Sequence, residues 1–162
     1  MNTKETNIQK LKEIVATKKI YSRNLLLTEL NNRLDDNDAI SLSTINIYLS
    51  ESGISLNKES KYYTFNNEND KNIVLSNLLK KYVKKYKISV QKPMILGYSL
   101  EKNEPLLYGL MITCIAKYEE IVCSKLSKRI NPVSYQINNK SIIFHFLDKD
   151  NVEKAYSLLT EL

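Results

Sequence analysis

Apolar residues recur at three- and four-residue spacing through three stretches in the first third of the chain. This spacing places them on one face of an α-helix. Ser22 and Ser41 precede the second and third stretches as N-caps, and Gly53 stands where a left-handed C-terminal residue is favoured. The pattern predicts helices over 7–17, 23–34 and 42–52.

After Gly53 the period shortens to two, which indicates β-strands. Segments 54–56 and 62–65 alternate or are rich in strand-favouring residues, and the polar stretch 57–60 between them predicts a turn. Three short helices followed by a hairpin are typical of a winged helix-turn-helix.

The rest of the chain alternates between strand-like and helix-like segments. The run 106–115 is long enough to be a buried helix as well as a strand. On 117–130 the residues expected to face inward are Ile121, Val122, Leu126 and Ile130. The predicted elements are a helix at 73–86, strands at 94–100 and 106–115, a helix at 117–130, strands at 133–137 and 141–147, and a helix at 148–162.

The polar tract 66–70 has no apolar anchors and is the best candidate for a domain boundary. We therefore predict an α+β protein with two domains. Residues 1–66 form a winged helix-turn-helix domain. Residues 70–162 form an α/β oligomerisation domain, a small sheet covered on one face by helices, which is also the candidate ligand-binding domain.

Composition narrows the function classes. Three glycines leave no Gly-rich phosphate loop, and one histidine and two cysteines severely limit metal and nucleophile chemistry. We expect no catalytic residues, no metal site, no cofactor and no enzymatic activity. The polar N-terminal 20 residues and the lack of a long apolar run predict a cytoplasmic protein with no membrane segment.

The net charge of +6 is unevenly distributed. Segment 67–92 holds seven lysines and two acidic residues, whereas the two flanking segments are close to neutral. A basic block can attract a phosphate backbone without reading its sequence, but it can equally be a solvated face.

The third predicted helix offers side chains suited to base edges. Asn46 could pair with an adenine edge, and Leu42 or Ile47 could touch a thymine methyl group. Lysines of the hairpin, with Lys18 and Lys19, could meet phosphates. The residues expected to contact double-stranded DNA are Arg23, Ser41, Leu42, Ser43, Asn46, Ile47, Ser50, Lys58 and Lys61.

One feature favours an alternative. No basic residue lies between Arg33 and Lys58, although phosphate neutralisation supplies much of DNA affinity. An oligomeric adaptor, which kept this fold but binds protein instead of DNA, is therefore the competing hypothesis.

Segment 40–53, ISLSTINIYLSESG, resembles the recognition-helix stretch of bacterial arginine repressors, approximately V-T-Q-A-T-V-S-R-D-I-K-E-L-G. The two align without a gap, so that Thr44, Leu49, Glu51 and Gly53 fall on matching family positions. The resemblance implies a DNA-binding transcriptional regulator of the repressor type, which occupies an operator, and a winged domain at the N-terminus.

The end of the chain is similar to that family more faintly. The segment YQINNKSIIFHF and the helix after it match a strand, a Gly-Asp-Asp turn, a strand and a last helix. The resemblance implies trimers or hexamers that bind arginine between subunits. This sequence departs from the family at two places. Asn46-Ile47 replaces the Ser-Arg pair of the recognition helix, and Asn139-Lys140 replaces the two aspartates of the turn. A lysine repels a cationic ligand, so we expect arginine sensing to be lost.

Three smaller features complete the sequence-based expectations. Tyr62-Tyr63 could stack on bases, although packing within the domain is the simpler interpretation. His145 should lie on the opposite face of its strand from its two phenylalanine neighbours. Cys114 and Cys123 should be small buried residues.

Overall fold

The computed structural model describes residues 2–162, which form a mixed α+β protein with six α-helices, a two-stranded sheet and a five-stranded sheet. The chain divides between Leu78 and Leu79 into two compact units. Each unit has its own buried apolar cluster.

The first unit contains three helices and a hairpin. Its elements are α1 (Thr3–Thr17), α2 (Arg23–Asn31), a single 3-10 turn (Asp36–Asp38), α3 (Leu42–Ser52), β1 (Ile54–Leu56), β2 (Tyr63–Phe65) and the first part of α4 (Glu68–Lys85).

Helix ends in this unit differ from the predicted ends for reasons visible in the side chains. Helix α1 starts at Thr3 because the side chain of Asn2 accepts a hydrogen bond from the backbone N–H of Glu5. Helix α2 ends at Asn31, whose side-chain amide both accepts from the N–H and donates to the C=O of Ile40. That pair of bonds holds the turn leading to α3.

The core of the first unit is built from the apolar faces of its helices. Leu11 and Ile14 of α1, Leu26 and Leu30 of α2, and Ile45 of α3 are fully buried together. These five residues belong to the apolar stripes predicted for the three helices, whereas Leu34 of the predicted helix 23–34 lies beyond the end of α2 at Asn31.

The second unit contains the end of α4, five strands and two helices. They are β3 (Ser89–Val90), β4 (Met94–Tyr98), β5 (Pro105–Thr113), α5 (Glu119–Ile130), β6 (Ser134–Asn138), β7 (Ser141–Phe146) and α6 (Lys149–Thr160). The run 106–115 is therefore a strand, and not a buried helix. Strand β3 was not predicted because two residues are too few for a periodic pattern.

Strand β5 is central to an antiparallel sheet. It pairs with β7 on one side, and on the other with β3 and β4 at different positions along its length; β6 is the outer neighbour of β7. Helices α5 and α6 bury one face of this sheet. The buried residues of that face are Leu110, Ile112, Ile142, Phe144 and Phe146.

The prediction for α5 was wrong at Ile121, whose side chain is 45% exposed. Cys123 is buried in its place, since the helix presents Val122, Cys123, Leu126 and Ile130 to the core. The expected orientation of His145 is confirmed. Its side chain is partly buried and lies on the sheet face opposite to that of the buried Phe144 and Phe146.

The tract 66–70, suggested as a boundary by its polarity, includes the first residues of α4. Val74 of this helix belongs to the first buried cluster, whereas Leu79 and Tyr86 belong to the second. Within residues 2–162 no helix is long and apolar enough to cross a membrane.

Candidate nucleic-acid interface

The buried residues of helix α3 fix the rotation of the helix about its own axis. Ile45 is fully buried and Tyr48 nearly so. The Tyr48 hydroxyl accepts a hydrogen bond from the side-chain amide of Asn7, a buried residue of α1 (3.4 Å). Packing and this buried polar contact together determine which residues of α3 face solvent.

The exposed face of α3 brings together all five of its predicted DNA-contacting residues. Ile47 is the most prominent apolar one, with 52% of its surface exposed. The exposed residues are Leu42, Ser43, Asn46, Ile47 and Ser50, and we call this set the α3 face.

Hydroxyl groups near the α3 face already have partners within the protein. Ser41 is the N-cap, accepting from the N–H of Thr44, and its hydroxyl lies 2.9 Å from that of Ser43. Ser50 donates to the backbone carbonyl of Ile47 (2.8 Å). Ser41 therefore has a structural role at the start of α3, besides its exposed position.

Arg23 brings a positive charge to the α3 face from another helix. One guanidinium nitrogen, Nη1, donates to Oδ1 of Asn46 at 2.8 Å. Arg23 is the first residue of α2, where the hydroxyl of Ser22 caps the helix. Burial raises the pKa of the Tyr63 phenol, and the nearby positive charge of Arg23 opposes that shift. The guanidinium therefore lies directly against α3.

The hairpin follows α3 directly through Gly53, which has a left-handed conformation (φ 69°). Strands β1 and β2 pair in antiparallel register, with Ile54 opposite Phe65. The side chain of Asn57 accepts from two N–H groups of the connecting loop, which orders its turn. Lys58 and Lys61 are exposed on this loop, as expected.

The segment between α1 and α2 forms an aromatic and basic cluster that was only partly predicted. Tyr21 and Tyr62 meet edge to face, with ring centroids 5.8 Å apart, and Lys19 lies over the Tyr62 ring. Lys18 is paired with Glu29. Tyr63 is buried, so Tyr62 and Tyr63 do not form a shared stacking platform.

In the second unit, Asn139 and Lys140 form the two-residue turn between β6 and β7, and both are exposed. Glu119 Oε1 accepts from the backbone N–H of Lys140 (3.0 Å) and from that of Lys117 (3.1 Å). Backbone donors, its own N–H first and then that of Lys140, lower the pKa of the Glu119 carboxyl. Sequence reasoning missed this role of Glu119, which joins the start of α5 to a distant turn.

The two cysteines are buried, as predicted, and burial raises the pKa of both thiols. His145 has a hydroxyl partner, with Nδ1 2.7 Å from Oγ of Ser134. Residues 2–162 contain no group of three or more His, Cys, Asp or Glu side chains placed to hold a metal ion.

No protein-family model matches this chain, and no curated protein matches it.

Proposed function

We propose that this protein is a sequence-specific DNA-binding transcriptional regulator. In this proposal the first unit is a winged helix-turn-helix, in which α2 supports α3, α3 enters the major groove, and the β1–β2 hairpin lies along the neighbouring backbone. The resemblance of segment 40–53 to arginine repressors supports the same assignment.

The observation that carries the proposal is the α3 face. Its five side chains point away from a core that Ile45 and Tyr48 hold firmly, and a guanidinium group from Arg23 lies against it. Exposed polar and small apolar groups on one helix face can contact base edges and thymine methyl groups. The adjacent hairpin supplies Lys58 and Lys61 for phosphates.

The second unit would join several of these DNA-binding units. The sheet face opposite α5 and α6 carries the partly buried apolar side chains of Leu107, Met111 and Ile143, and β4 adds Leu96, which is 39% exposed. We propose that a second copy of the chain packs on this face, in a trimer or hexamer like those of arginine repressors. When one unit of such an oligomer binds DNA, the effective concentration of the linked units at a second half-site is raised. This avidity would compensate for weak binding by a recognition helix with little charge of its own.

A protein-binding adaptor is the alternative function, and one observation favours it. Helix α3 itself contains no lysine or arginine, and it exposes Leu42 and Ile47. An apolar helix face of this kind can also fit a groove on another protein.

A salt titration of binding to random duplex DNA separates the two functions. The full chain should bind labelled duplex at low salt, and log affinity should fall linearly with log salt concentration. Binding that is absent at low salt would contradict the regulator proposal and support the adaptor.

Lys58→Ala tests the proposed role of the hairpin in the same titration. If Lys58 neutralises one phosphate, the slope should become shallower by about 0.9, with a similar change for every duplex sequence. Lys154→Ala removes an equally exposed lysine from α6 and should leave the slope unchanged. Equal slopes for all three proteins would exclude the hairpin from the interface.

A further inference from the structure

The bond between Arg23 and Asn46 determines which groups the centre of the α3 face can offer to a base. Arginine has N–H donors and no acceptor. The atom of Asn46 that faces Nη1 at 2.8 Å must therefore be its oxygen, Oδ1, which leaves the orientation of the amide without ambiguity. The amide NH₂ of Asn46 is the group left free to point outward.

The usual contact between asparagine and adenine needs both atoms of the amide. Oδ1 accepts from the adenine N6 amino group while Nδ2 donates to N7. Here one lone pair of Oδ1 accepts a charge-assisted bond, and an adenine amino group approaching the other lone pair would meet the guanidinium group beside it, donor against donor. The pair is therefore poorly suited to adenine.

We propose that Arg23 and Asn46 act together as one base-reading unit that selects guanine. The remaining N–H groups of Arg23 and the NH₂ of Asn46 are all donors. In the major groove guanine presents two acceptors, O6 and N7, whereas adenine presents one acceptor and one donor. This inference rests on the proposed function. It names the base that the centre of the α3 face would read.

Arg23 is placed beside α3 by its own helix. It is the first residue of α2, which the hydroxyl of Ser22 caps, and its guanidinium donates to Asn46 Oδ1 at 2.8 Å. Helix α3 contains no lysine or arginine, and Lys4, which also reaches this helix, pairs with Glu51 near its C-terminal end. Arg23 is the cation bonded to the centre of the α3 face, through Asn46.

The test is a selection of duplexes from a random pool by the full chain and by Asn46→Ala. The position whose base preference disappears in Asn46→Ala is the one that Asn46 reads. We expect guanine there in the wild-type selection, and replacing it with adenine should weaken binding on the order of tenfold or more.

Arg23→Ala should lose the preference at the same position, and the double variant should discriminate no worse than either single variant, because the two side chains act as a unit. Lys19→Ala is the matched control, since it removes a neighbouring exposed charge and should weaken binding to all sequences equally. Arg23, Asn46 and Lys19 are all exposed, so unfolding temperatures should stay close to that of the wild type.

Adenine at the position read by Asn46, or effects of Arg23→Ala and Asn46→Ala at different positions, would overturn the inference while the regulator proposal stands. Failure of the wild-type chain to bind any duplex at low salt would instead overturn the regulator proposal, and the inference with it.

Discussion

Individual side chains explain both what was predicted at the α3 face and what was missed. Arg23 and Asn46 were each predicted as DNA contacts from residue type and helix position. Their hydrogen bond was not predicted, because they are 23 residues apart and belong to different helices. Helical periodicity relates residues within an element only, so it contains no information about this pairing.

Glu119 gives the clearest pH dependence at the residue scale. Its folded-state pKa lies below its ordinary value of 4.5, because backbone N–H groups stabilise the carboxylate. Its stabilising contribution is therefore present above pH 4.5 and is lost as pH falls through the lowered folded-state pKa.

Glu119→Gln should accordingly lower the unfolding temperature at pH 7, and the difference from the wild type should shrink as pH falls below about 4.5. Unfolding curves between pH 3 and 7 provide the measurement. Glu120→Gln, a change of the same kind at the next residue, is the control. A pH-independent difference for Glu119→Gln would mean that its carboxylate charge contributes nothing to the turn at Lys140.

At the scale of elements, the junction of α3 and β1 depends on backbone conformation more than on packing. Gly53 has a φ of 69°, and a Cβ built on it would meet no atom within 4 Å. A side chain at this position would not clash with neighbouring atoms. The free-energy penalty for a substitution therefore comes from the left-handed backbone conformation itself.

Gly53→Ala should destabilise the protein by about 1–2 kcal/mol. Gly53→Asn should destabilise it less, because asparagine tolerates the left-handed region better than alanine does. Urea unfolding of both variants gives the two free energies. Equal losses for alanine and asparagine would show that φ does not decide the effect.

The sequence predicted elements best where they are long and periodic. The three N-terminal helices, the hairpin and the glycine after α3 were all predicted, as were the main strands and helices of the second unit. Helix ends such as Asn31 were not, because side-chain bonds to a distant backbone group decide them. Strand β3 was missed because its two residues take their conformation from pairing with β5.

At the scale of the whole molecule, we propose a weakly charged DNA-reading surface and an oligomer that joins several copies of it. The mixed α+β architecture and the two compact units are observed. The winged helix-turn-helix assignment, the oligomer and double-stranded DNA as the partner are proposals. They depend on local side-chain chemistry that fold class alone does not determine.

Arginine should not stabilise this protein. The turn between β6 and β7 carries Lys140 where arginine repressors have an aspartate, and its exposed ammonium group would repel a guanidinium ligand. Thermal unfolding with and without millimolar arginine is the measurement, and the expected result is no shift. A clear rise in unfolding temperature would show that the departure at Asn139 and Lys140 does not abolish arginine binding.

The most direct test of the central claim is amide chemical-shift mapping of the full chain as a selected duplex is added. The account predicts the largest changes at Arg23, at the α3 face and at the loop that carries Lys58 and Lys61. Changes confined to the second unit, with the α3 face unaffected at saturating duplex, would contradict it.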